Sequence, residues 1–93
     1  MITVYISVGN SDDRLTQQEW FTYLQVVDEA ISETSERRHG LWYSASRSPF
    51  QNACWCVELT PTSARMLQDM LRDIRREFQQ DSIAWAVATT EFV

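Results

Sequence analysis

The chain has 93 residues, 44% of them hydrophobic and 23% charged, with a formal net charge of −5. That length fits a single domain, residues 1–93, with a core that needs no metal or disulfide staple, and the composition argues against disorder. The acidic balance argues against a nucleic-acid backbone binder; the lack of a run near ~18 apolar residues and of a basic leader argues against a membrane span and export.

All eight cations are Arg and none is Lys, a bias that suits a GC-rich coding genome. Residues 1–36 hold seven acids and one Arg, whereas residues 37–93 hold seven Arg and six acids. Two solvated helix faces explain this asymmetry better than an acidic binding surface.

Ile2-Thr3-Val4-Tyr5-Ile6-Ser7-Val8 alternates strictly. A period of two predicts a half-buried strand with Ile2, Val4, Ile6 and Val8 inward. Gly9 to Asp13 then supply turn chemistry. Asn10-Ser11-Asp12-Asp13 faintly suggests a cation loop but lacks the glycine and late bidentate Glu of a calcium hand. Entry into a helix explains these residues, since Asp12 and Asp13 suit its positive end.

Thr16-Gln17-Gln18-Glu19 reads as a capping box, with Leu15 placed to staple onto Trp20. Trp20, Tyr23, Leu24, Val27, Ala30 and Ile31 recur at helical spacing and predict the inner face, with Gln18, Gln25, Glu29, Glu33 and Glu36 outward. Arg37, Arg38 and His39 are expected in the last turn, where cations suit the dipole, and Gly40 as a left-handed terminator.

A hairpin follows, from Leu41–Ser46 through Arg47–Gln51 to Asn52–Leu59. Alternation suggests pairing Trp42 with Cys56, Ser44 with Cys54 and Ser46 with Asn52. That register puts Leu41, Tyr43, Ala53, Trp55, Val57 and Leu59 on the core side. Thr60 then caps a second helix with Pro61 at its first position. Ala64, Leu67, Met70, Leu71, Ile74 and Phe78 form its apolar stripe, while Arg65, Asp69, Arg72, Asp73 and Arg76 face out at ion-pair spacing. Ser82–Ala88 is the last strand, with Ile83, Trp85 and Val87 inward, and Thr89–Val93 a short tail.

The order β-α-β-β-α-β predicts an α+β fold of the ferredoxin-like split plan. Its sheet is a four-stranded antiparallel one, with the first and third strands central and two helices on one face. The other face then carries Thr3, Tyr5, Ser7, Trp42, Ser44, Ser46, Asn52, Cys54, Cys56, Glu58, Ala84, Ala86 and Ala88. Only Glu58 among these is ionised, and a wet sheet face normally carries more polar residues. Tyr5, Trp42, Ser44, Cys54, Cys56, Ala84 and Ala86 are the candidate binding residues. A homodimer about a two-fold axis, or another protein, is expected to cover them.

This layout resembles the dimeric α+β barrel proteins, a superfamily that includes antibiotic-biosynthesis-type monooxygenases and haem-degrading enzymes. The resemblance lies in the order of elements and the uncovered face, and transfers no catalytic residue. It implies an alternative in which a cavity between paired sheets binds or transforms a small-molecule ligand.

No other constellation carries chemistry. Cys54 and Cys56 project from one face with Cα atoms about 6.6 Å apart, near the limit for a bridge, so two free thiols in a reducing compartment are expected. With His39 as the lone histidine, a zinc site lacks ligands, so no metal and no cofactor is expected. Two glycines cannot build a phosphate loop. Aromatics on an open sheet can bind RNA, but the basic flanks that RNA needs are missing. The sequence therefore reads as a cytoplasmic, non-enzymatic protein-binding or regulatory accessory domain, of a kind a virus of a GC-rich bacterium carries.

Overall fold

A computed structural model describes residues 1–10, 12–45, 48 and 50–93. Strand β1 spans Ile2–Gly9, helix α1 Gln17–Thr34, β2 Arg37–Tyr43, β3 Asn52–Leu59, helix α2 Pro61–Glu77 and β4 Ala84–Ala88. The strands form one sheet in the order β2-β3-β1-β4, with every neighbouring pair antiparallel. The βαββαβ ferredoxin-like plan is thus present, with β1 and β3 central.

Both helix starts follow the sequence signals. The Thr16 hydroxyl accepts from the Glu19 amide at 3.2 Å and the Glu19 carboxylate accepts from the Thr16 amide at 3.0 Å. That reciprocal pairing satisfies two orphan donors, and the Thr16 amide holds the Glu19 carboxyl below its ordinary value. Thr60 caps α2 by accepting from the Ser63 amide at 3.1 Å. Ahead of α1, the buried Asn10 side chain donates to the Leu15 carbonyl and accepts from the Leu15 amide, each at 3.0 Å. It also donates to Gln51, so one amide ties the end of β1, the helix entry and the hairpin loop together.

The end of α1 departs from expectation. The helix stops at Thr34, and Arg37, Arg38 and Gly40 belong to β2. The end carries no glycine terminator: the Thr34 hydroxyl donates to the carbonyls of Ala30 and Ile31, and the Ser35 amide donates to the Ile31 carbonyl. Ser35 is already extended at φ −82°, and the Glu36 amide donates to the Glu58 carbonyl, which starts the ladder.

The hairpin register also moves. Trp42 pairs with Cys54 and Tyr43 with Ala53, and the Ser44 amide donates to the Asn52 carbonyl. The shift is two residues from the sequence-based register, because β2 begins early and bulges between Arg38 and Gly40. An even shift leaves each side chain on its expected face. The expected pair of Ser46 with Asn52 lies outside the described residues.

The core lies between the helices and one sheet face. Trp55, Tyr23, Ile6, Ile31, Leu59 and Leu67 are fully buried, each worth roughly 1.5–3 kcal/mol of burial. Trp55 donates its indole N–H to Asp28 at 2.9 Å, and Arg38 pairs with the same carboxylate at 2.7 Å. Two expected core residues are not in it. Tyr43 and Val87 are each 61% exposed, because they lie on the edge strands at the margin of the helix layer.

Helix α2 ends on a Schellman turn without glycine. Gln80 N–H donates to the Arg75 carbonyl and Gln79 N–H to the Arg76 carbonyl, with Gln79 at φ 56°. A glutamine strained into that region should yield to glycine. Gln79→Gly is expected to stabilise the fold by up to about 1 kcal/mol in chemical denaturation, since only glycine adopts this conformation without strain. A loss of stability would show that the Gln79 side chain contributes more than its backbone costs.

Tyr23 gives a pH signature. Its hydroxyl is buried with no hydrogen-bond partner among the described residues, and burial pushes the phenol from 10.0 up to about 12. Below pH 10 both folded and unfolded states keep the proton. Above it the unfolded chain ionises first, so stability should fall between pH 10 and about 12. Tyr23→Phe is expected to flatten that decline in thermal melts.

Candidate functional site: the open sheet face

Strand pairing builds the uncovered face as three rungs. Gly40, Cys56, Tyr5 and Ala86 form the middle one, and Trp42, Cys54, Ser7 and Ala84 the next toward the hairpin loop. Arg37, Glu58, Thr3 and Ala88 form the rung at the other end. Alternation thus brings six of the seven candidate residues onto two adjacent rungs. Ser44 stands just beyond, where its hydroxyl accepts from the Asn52 amide at 3.0 Å and closes the hairpin instead of lining the rungs.

Two aromatics dominate the relief. Trp42 is 54% exposed and Tyr5 41%. The Trp42 indole folds back along its own strand over Gly40. A β-carbon at Gly40 would stand 2.8 Å from Cη2 and 2.9 Å from Cζ2 of that ring. Covering a strand glycine with an aromatic ring restores the packing that the glycine lacks. Gly40 is therefore a seat for Trp42, and its φ is not positive.

The thiols are quieter than their spacing suggests. Both cysteines are free, Cys54 half-buried and Cys56 buried. Hydrogen bonding with Cys56 is the main cause that raises the Tyr5 phenol above its ordinary value of 10.0. Among the described residues no group of three His, Cys, Asp or Glu side chains is placed to hold a metal. His39 pairs instead with Glu58 at 3.3 Å. With Arg37 opposite Glu58, the charge on this face gathers at one end and the rest stays apolar or weakly polar.

A second patch escaped the sequence reading. Phe21, on the outer side of α1, is 61% exposed, and with Leu24 and Tyr43 it lines a shallow cleft between α1 and the end of β2. The signal was an aromatic off the inner stripe at Phe21, among residues otherwise polar.

The helices show little chemistry. Arg72 pairs with Asp69 and Arg76 with Asp73 across exposed i,i+3 spacings, each worth tenths of a kcal/mol. No helix among the described residues is long and apolar enough to cross a membrane.

The class this geometry defines is the two-layer α+β plan with one bare sheet face. No protein family matches the chain, and no curated protein matches it. Among solved structures it is similar to the de novo designed protein Foldit4, at 11% identity and a TM-score of 0.64, over 97% of this chain and 98% of that one. That similarity concerns the fold.

The seat under Trp42 can be tested directly. Gly40→Ala should push the half-exposed indole outward, at a stability cost below ~1 kcal/mol, because the ring has room to move. Near-ultraviolet circular dichroism should change while the far-ultraviolet spectrum stays native. A loss of several kcal/mol would show instead that the ring is locked.

Proposed function

We propose that the protein acts by non-covalent binding, as an accessory or regulatory domain that docks another protein on its open sheet face. One observation carries this reading: exposed Tyr5 and Trp42 stand beside Gly40, Ala84 and Ala86, with the charged groups confined to one end. An apolar centre with a polar rim is the usual anatomy of a non-obligate interface. The aromatics supply anchors, and the small residues let a partner backbone approach closely. The chemistry fits a partner with an apolar ridge and a carboxylate that meets Arg37. Two free thiols suit a reducing compartment, and on that ground we place the protein in the cytoplasm.

Affinity capture from the native host tests the reading. Trp42→Ala and Tyr5→Arg should each lose the captured protein, because truncating an anchor costs over ~2 kcal/mol, about thirtyfold in affinity. Reversing Glu29 and Glu33 on α1 should leave capture unchanged. The opposite pattern makes the acidic helix the interface. A stoichiometric small molecule in native mass spectra, lost with Trp42→Ala, would support an enclosed ligand site instead.

A further inference from the structure

The two edges of the sheet are built differently. β2 carries Arg37, Arg38 and His39 and a bulge between Arg38 and Gly40, which are the usual devices that stop an edge from pairing further. β4 has none of them. It reads Ala-Trp-Ala-Val-Ala, without charge, proline or bulge, and among the described residues pairs with β1 alone. A bare, regular, apolar edge presents a row of unpaired amides and carbonyls, and such a row is a template for another strand.

We propose that β4 pairs antiparallel with β4 of a second copy, about a two-fold axis at Ala86, so that eight strands run as one sheet. The segment suits itself. In that register Ala86 meets Ala86 and Val87 meets Trp85 of the second copy. No like charges face one another within the strand.

Shape next to the edge favours the same occupant. Gln68, Leu71, Arg72, Arg75, Ile83 and Trp85 line a cavity of about 110 Å³ between α2 and β4. Val87 lies beside that cavity in the opposing copy, and its own side chain is 61% exposed in the single chain.

The pairing stands on the edge itself, whatever the open face binds. It also bears on size. One open face spans on the order of 300–400 Å² by strand spacing and rise. That is about half of the ~800 Å² a partner contributes to a standard interface. Two faces side by side reach it.

Light scattering on the full chain at micromolar concentration is expected to read twice the chain mass. Val87→Lys sets an ammonium beside Arg72 and Arg75 and should weaken association at least about tenfold. Circular dichroism checks that the variant folds. Trp42→Arg, on the open face, should leave the mass unchanged. In the unaltered protein, amide exchange at 84–88 should slow as concentration rises, a readout that needs no variant. Monomer mass up to roughly 100 µM overturns the pairing. So does a dimer that survives Val87→Lys and dissociates with Trp42→Arg, since that dimer is held by the open face.

Discussion

Two helices can dry only one side of a sheet, and most of this structure follows from that limit. The molecule is 18 Å along its shortest axis, which leaves room for two layers. Two helices about 10 Å wide, side by side, just span four strands about 4.8 Å apart. The central strands β1 and β3 therefore lie under full cover on the helix side, and their inward residues from Val4 to Val57 are fully buried. The edge strands lie at the margin of that cover. Leu41, Ile83 and Trp85 pack against the core without being enclosed, and Tyr43 and Val87 fall outside it. The bare face and the two edges are thus consequences of the plan, and the sequence must make each tolerable or useful.

At the β2 edge it uses Asp28. This half-buried carboxylate accepts from the Trp55 indole and from Arg38, which also donates to Ser32. Three elements meet there: β3 through Trp55, α1 through Asp28, and β2 through Arg38. A charge-assisted bond near a protein interior is stronger than one in water, and the Trp55 ring fixes the acceptor in place. Arg38 therefore holds the start of β2 against the helix while the bulge turns that edge away from further pairing. Among the described residues no comparable ion pair covers β4, where small residues face outward.

Much of the plan is legible in the sequence because alternation and capping are local. Ile2 to Val8 announces β1, Thr16 to Glu19 and Thr60-Pro61 announce both helix starts, and the order of elements follows. What was not legible depends on contacts across the chain. Arg37 to Gly40 looks like a helix end, with cations and a glycine in the usual places. The helix has already ended at Thr34, and the cations serve a strand whose pairing with Glu58 cannot be seen locally. The register of Trp42 shifts for the same reason, since a bulge depends on where Arg38 finds Asp28. Because the shift is even, the open face could still be read. The role of Gly40 as a seat for Trp42, and the burial of Cys56, depend on side-chain directions that spacing does not give. Phe21 went unread because its partner Tyr43 lies on another element.

A designed protein of the same plan, with 11% identity, sharpens what counts as information here. Apolar alternation, capped helices and a filled core are enough to reach this architecture, so those features say nothing about use. Departures from need are more telling. A folded sheet does not require Trp42 and Tyr5 to stand exposed on its bare face, and polar residues there would cost the fold little. Nor does it require a last strand free of charge, when one lysine would protect the edge at small cost. Trp42 gains its seat on Gly40, but both choices add apolar surface that water disfavours. The contacts proposed above with other protein surfaces would account for them, on the face through aromatic anchors and at β4 through its unpaired backbone.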